Sequence, residues 1–184
     1  MRRLVVSIAV IALVSASAIA FTDSLRRIRE RLIGYNEVPA VSTNGKGTFK
    51  ATISRDETRI DWQLNYTELE GNVQQAHIHF GNVGVNGGIS VFLCTNLGNG
   101  PAGIQACPPS PATISGTIFA ADVSPNIPAT AAARTQGINT GELGELIDAI
   151  RAGSTYVNVH STTWPGGEIR SQIDGKGHDH DDDH

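Results

Sequence analysis

The chain contains few of the residues that catalytic sites commonly use. Among its 184 residues there are two cysteines, one methionine and 5% aromatic residues. No Gly-x-Ser-x-Gly elbow occurs, no glycine loop is followed by Lys-Ser or Lys-Thr, and no paired carboxylates stand beside a supporting base. The sequence therefore offers no candidate residues for nucleotide binding or hydrolysis, and we expect no enzyme activity.

Positive charge is scarce as well. The chain has 14 Lys and Arg against 18 Asp and Glu, so its formal net charge is -4. Loss of Arg2 and Arg3 with a cleaved leader would change this value to -6. An acidic protein is repelled by nucleic acids and by anionic membranes, so we expect neither of them as a partner.

Long apolar runs are missing except at the N-terminus. There, Arg2 and Arg3 precede an apolar run from Leu4 to Val14, and small residues continue to Ala20. The run is shorter than the roughly 20 residues that span a bilayer, and its layout is typical of a secretory signal peptide. We predict cleavage near Ala20, a secreted or periplasmic location, and no stable membrane insertion.

The chain then divides into a signal peptide at 1–20, a domain at 21–174 and a tail at 175–184. The tail, GKGHDHDDDH, has no apolar residue to bury, so we expect it to be disordered. Its histidines stand among carboxylates, a composition that binds divalent ions loosely and equally favours solubility.

The two cysteines, Cys94 and Cys107, flank the segment CTNLGNGPAGIQAC. In an oxidising compartment an even number of cysteines is typical of disulfide bonds, so we predict one bond between them. Neither thiol has a basic or histidine neighbour in the sequence that would activate it as a nucleophile.

The residue patterns favour an all-β fold. Glycine and proline are frequent, and several short segments alternate apolar and polar residues, as in TRIDWQLNYT. Together with GKGTFKATIS before it, this segment predicts a hairpin. About seven short strands with uneven connections favour a two-sheet β-sandwich over a barrel.

One segment has helical rather than strand periodicity. Apolar residues recur at three- and four-residue steps in 143–150, which predicts a short amphipathic helix that Thr140 would cap and Gly153 would end. The preceding segment 124–140 has two prolines and no apolar period, so we predict a loop. Residues 25–32 fit either a helix or an edge strand.

Three histidines of the predicted domain are candidates for a metal site. On a strand, His77 and His79 point to the same face, and His160 shares a face with Tyr156 and Asn158 on a later strand. If the two strands are neighbours, the three imidazoles would meet. Three neutral imidazoles with an open position suit zinc or copper. The alternative is that these histidines are polar residues on a solvated face, with His79 bonded to a neighbouring backbone.

Three segments carry a resemblance to a known family. LIGYNEVPAVSTNGKGTFKATI, AHIHFGNVGVNGGISVFL and YVNVHSTTWPGGEIRSQI resemble, in this order, the CHRD domain, a module named after its repeats in chordin and also found singly in exported bacterial proteins. The resemblance covers about residues 32–173. It implies a Greek-key-like β-sandwich similar to that of copper-zinc superoxide dismutase.

The resemblance also bears on the histidines. AHIHFGNVG is similar to the copper-binding strand of the dismutase, which implies that His77 and His79 are copper-type ligands and that His160 is the third. A dismutase also needs a metal-bridging histidine and a zinc loop, and no other histidine precedes the tail. We therefore do not expect dismutase activity. The family-typical residues Glu37 and Glu168 are expected to be structural.

Two functions follow from these observations. The first is an exported protein that binds copper or zinc through His77, His79 and His160 for sequestration or delivery. The second is a non-catalytic module that binds an extracellular protein or another ligand through its loops without metal. Exposed edge strands would also allow a homodimer.

Overall fold

The computed structural model describes residues 26–174 of the chain. The predicted signal peptide and the histidine and aspartate tail lie outside the described residues. Eight strands and two helices are present: β1 (Arg27–Ile33), β2 (Lys46–Ile53), β3 (Ile60–Thr67), β4 (Val73–Phe80), β5 (Gly88–Thr95), β6 (Ala112–Ile118), α1 (Ala131–Thr135), α2 (Leu143–Arg151), β7 (Thr155–Ser161) and β8 (Ile169–Ile173).

The eight strands form one antiparallel sheet in the order β5-β4-β7-β8-β1-β2-β3-β6. A single apolar cluster takes side chains from all eight strands and from α2. The sheet therefore curves almost into a barrel around one core, and β5 and β6 are its edges. The all-β prediction is confirmed, and the shape is consistent with a sandwich-like fold, although the strands belong to one continuous sheet.

The hairpin of β2 and β3 shows why these segments form strands. Their side chains alternate between buried and exposed along both strands, and Ile53 lies opposite Ile60 at the turn. This alternation places apolar residues on the core side, and a shift of one residue would expose all of them. The ambiguous segment at 25–32 overlaps β1, so its described part is a strand, and Ile28 and Leu32 are buried in the same core.

The helical predictions are partly right. The amphipathic helix is present as α2, and Gly153 follows its end with a φ of +67°. Thr140 does not cap this helix, because its hydroxyl donates a hydrogen bond to the Ser124 carbonyl instead. The prediction of a loop at 124–140 was wrong at α1, a short alanine-rich helix whose only buried residue is Ala133 and which therefore lacks an apolar period.

Cys94 and Cys107 form the predicted disulfide bond. Both residues are buried in the core cluster. Between them, the Gln105 side chain donates hydrogen bonds to Leu93 of β5 and Ser115 of β6. The cross-linked segment thus connects the two edge strands of the sheet. Within residues 26–174, no helix has the length and apolar character needed to cross a membrane.

Removal of the disulfide is expected to destabilise the protein strongly. Closing a loop of 13 residues restricts the unfolded chain, and bonds over loops of this size contribute about 3 kcal/mol. The double variant Cys94→Ser/Cys107→Ser should lose this amount in urea unfolding, and reduced wild-type protein should match it. A variant as stable as the oxidised wild type would contradict the prediction.

Candidate metal centre

The sheet order brings the three predicted histidines together. β4 and β7 are hydrogen-bonded neighbours, with His77 opposite Asn158 and His79 opposite Tyr156. His160 lies opposite Gln75, one pair further along the same face. The convergence of imidazoles that was predicted for neighbouring strands is therefore present.

The histidines lie on the sheet face opposite the apolar core, but they are not solvated. His77, His79 and His160 are 0%, 7% and 6% exposed. Loop 81–87 covers His79, and the Phe92 ring packs edge-on against His77. The solvated face of the alternative is therefore wrong, but the backbone hydrogen bond that it gave to His79 is present, with the Gly87 carbonyl as partner.

Backbone carbonyls orient two of the imidazoles. His79 donates from Nδ1 to the Gly87 carbonyl at 2.9 Å, and His160 donates from Nδ1 to the Pro165 carbonyl at 3.0 Å. A neutral imidazole with its proton on Nδ1 has a free lone pair on Nε2. This is the arrangement in which histidine ligands are usually held by their surroundings.

The remaining ring nitrogens converge on one point. His77 Nδ1 lies 3.3 Å from His160 Nε2, and one nitrogen from each of the three rings lies within 4.8 Å of the others. Nitrogens bound to one tetrahedral zinc ion are about 3.3 Å apart, as follows from bonds of about 2.0 to 2.1 Å. The pair of His77 Nδ1 and His160 Nε2 has this separation.

Two buried nitrogens of this cluster have no hydrogen-bond partner within the described residues, namely Nε2 of His77 and Nε2 of His79. An unsatisfied buried polar atom costs about 1–3 kcal/mol. The Asn158 Oδ1 atom also lies 3.1 Å from His160 Nε2. The donor set of His77 Nδ1, His160 Nε2 and His79 Nε2 fits a metal ion, which would satisfy the unpartnered Nε2 atom of His79.

Burial keeps all three imidazoles in the form that binds metals. It lowers the pKa of His77 well below 6.5, and the nearby His160 and His79 lower it further. Burial lowers the pKa of His79 to about 3, although the hydrogen bond to the Gly87 backbone raises it. Burial also lowers the pKa of His160, although the hydrogen bond to the Pro165 backbone raises it. Protons therefore compete with a metal only in acid.

Arg170 and Tyr156 hold loop 81–87 over the site. The Tyr156 ring stacks on His79, with the planes 2° apart and the ring centres at 4.6 Å, and the Arg170 guanidinium lies 3.4 Å from the Tyr156 ring centre. Arg170 also donates hydrogen bonds to Asn86, Val85 and Asn82 of the loop. These contacts fix the Gly87 carbonyl that orients His79.

Glu37 is a buried carboxyl group close to Arg170 and Asn158. Burial raises its pKa to about 7, while Arg170, Asn158 and the Val38 backbone lower it. Glu168 is fully buried, and its Oε1 atom accepts hydrogen bonds from Thr43 and from the Glu70 amide. Glu168 thus joins distant loops, in agreement with the structural role expected for it.

Acid is expected to destabilise the metal-free protein. The three histidines have a lower pKa in the folded state than the 6.5 of the unfolded chain, so the unfolded chain binds more protons and the unfolding free energy falls as the pH falls below 6.5. Each contributes up to about 1.4 kcal/mol per pH unit. Glu37 has the opposite effect below pH 7, because its folded pKa is raised.

Urea unfolding with a chelator should therefore show a net loss of about 3 kcal/mol between pH 7 and pH 5. The variant Glu37→Gln should give a steeper loss, because it removes the group that acts in the opposite direction. An unfolding free energy that stays constant over this range would contradict the prediction.

The comparison with protein families gives one match. The family model of the CHRD domain matches residues 29–173, which is most of the chain. The chain belongs to the CHRD domain family. This confirms the resemblance of the three segments. Searches of curated proteins and of solved structures found no match. The CHRD domain is an extracellular-type domain, and the disulfide bond fits an exported protein.

Several residues that shape this site were not recognised in the sequence. Gly87 and Pro165 contribute backbone carbonyls, which no sequence pattern reveals. Arg170 shares a face with Asn158 because β7 and β8 are paired. Glu168 and Arg170 alternate with Ile169 in the sequence, so these two residues were expected to share a face of the strand. Only the pairing of β7 with β8 shows that Arg170 lies beside Asn158.

Proposed function

We propose that this CHRD domain protein is an exported metal-binding protein that holds one copper or zinc ion through His77, His79 and His160. The observation that supports the proposal most strongly is the buried convergence of three neutral imidazoles, two of which have a ring nitrogen without a hydrogen-bond partner among residues 26–174. A purely structural role would be expected to pair those nitrogens.

The residues around the histidines would control binding and access. Gly87 and Pro165 orient two imidazoles, and the stack of Arg170 and Tyr156 fixes the loop that excludes water. A bound ion would supply a positive charge and Lewis acidity at this buried point. A site of this kind suits sequestration or delivery of the ion.

A second candidate function is binding of an extracellular partner without metal. A cleft of about 410 Å³ lies between the segment after β1, loop 81–87 and β8. Tyr35 and Val83, which are 69% and 76% exposed, line this cleft. Exposed apolar side chains around a cleft are typical of ligand-binding surfaces, so this function would be favoured if no metal is bound.

Elemental analysis of the full exported chain tests the first proposal. His178, His180 and His184 of the tail are first replaced by asparagine, so that only the three domain histidines remain. The expected result is about one copper or zinc ion per chain, retained through gel filtration and removed by a strong chelator. A chain that binds no ion in a titration with either metal would refute the proposal.

A further inference from the structure

The outer face of β1 and β2 carries a strip of positive charge. Arg29 and Arg31 point outward from β1, and Lys50 points outward from the neighbouring β2. All three lie on the solvent side of the strand pair, and we call them the basic strip. Lys46, at one corner of the strand pair, forms an ion pair with Glu68 and is not part of the strip. The net charge of -4 is an average over the chain and conceals this local excess.

The fold itself does not account for the basic strip. Arg29 lies directly opposite Lys50 in the strand pairing, and like charges at such positions destabilise a sheet. No ion pair involves Arg29, Arg31 or Lys50 among residues 26–174, whereas cations elsewhere on the surface do have acidic partners. Unfavourable pairs of like charges are expected at binding surfaces, where a ligand of opposite charge compensates for their repulsion.

The geometry of the strip suits an extended ligand with repeated negative charges. Alternate residues on a strand are about 6.7 Å apart, and paired strands are about 4.8 Å apart, so the cations form a flat strip two strands wide. Two of the three are arginines, whose guanidinium groups bind sulfate and carboxylate through two hydrogen bonds. A small compact anion would contact only part of this strip.

We propose that the basic strip binds a linear polysaccharide that carries sulfate or carboxylate groups. A membrane surface fits less well, because none of the large exposed apolar side chains lies on β1 or β2, where they would enter a bilayer. Single-stranded nucleic acid fits less well too, because neither strand has an exposed aromatic residue on which bases would stack. The proposal does not depend on the histidine site.

Binding of the full chain to polysaccharides tests this proposal. The probes are heparin, which carries both sulfate and carboxylate, and polygalacturonate, which carries carboxylate alone. The variant Arg29→Gln/Arg31→Gln is compared with Arg55→Gln/Arg59→Gln, which removes the same charge from the exposed turn between β2 and β3. Neutral glutamine at outward-facing strand positions should leave the thermal midpoint unchanged or raise it.

We expect the strip variant to bind heparin at least about 10-fold more weakly at low salt, with a shallower salt dependence, and the turn variant to stay within about 2-fold of wild type. Binding of heparin but not polygalacturonate would assign the site to sulfate, and equal binding would assign it to either anion. Equal losses in both variants, no binding to either polysaccharide, or binding only to anionic lipid vesicles or single-stranded DNA would overturn the proposal.

Discussion

Replacement of His79 by glutamine is expected to lower the affinity for copper and zinc by about 1000-fold, more than the roughly 10- to 100-fold that follows loss of a supporting residue. His79 Nε2 is buried and has no other partner in the described structure. Without it, only two imidazoles remain at a centre that the pairing of β4 and β7 builds for three. His77→Gln and His160→Gln should have similar effects, because each supplies one converging nitrogen.

Competition with a coloured chelator measures these affinities. Gln63→Ala is the control, since Gln63 is exposed on β3, which lies far from β4 and β7 in the sheet order. Its affinity should stay within about 2-fold of wild type. Far-ultraviolet circular dichroism of each metal-free variant checks that the fold is retained. Folded histidine variants that bind metal as tightly as wild type would exclude the three-histidine centre.

Gly87→Ala is expected to lower both stability and metal affinity. A Cβ atom at this position would lie 1.7 Å from the Phe80 carbonyl oxygen and 2.9 Å from the Gly81 Cα atom. Both are backbone atoms, so loop 81–87 would have to move, at a cost of about 3 kcal/mol. The movement would displace the carbonyl that orients His79, which predicts a further loss of about 10- to 100-fold in metal affinity.

Gly84→Ala in the same loop is the control, because it introduces backbone strain without a steric conflict. Gly84 has a φ of +75°, and no atom lies within 4 Å of the place that an added Cβ would take, so only conformational strain of about 1 kcal/mol is expected. Its metal affinity should equal that of wild type. Urea unfolding and chelator competition measure both variants. If Gly87→Ala and Gly84→Ala behave alike, the Gly87 carbonyl does not support the site.

Much of the fold could be predicted from the sequence because its signals are local. The alternation of Ile60, Trp62 and Leu64 with polar residues requires a half-buried strand, and the three- and four-residue steps of α2 require a helix. The disulfide followed from the parity of the cysteines. Helix α1 was missed because alanine-rich turns carry no apolar period, and β1 was ambiguous because Ile28 and Leu32 fit both periods.

The histidine site, too, could be predicted from the sequence only in part. By itself, the sequence determined that His77 and His79 share a face, because alternate residues of a strand always do. Only the tertiary structure decided that β7 lies beside β4, that loop 81–87 covers His79, and that Arg170 holds this loop. Alternation along a strand sets the direction of each side chain, whereas the choice of neighbouring strand depends on how the whole sheet closes around its core.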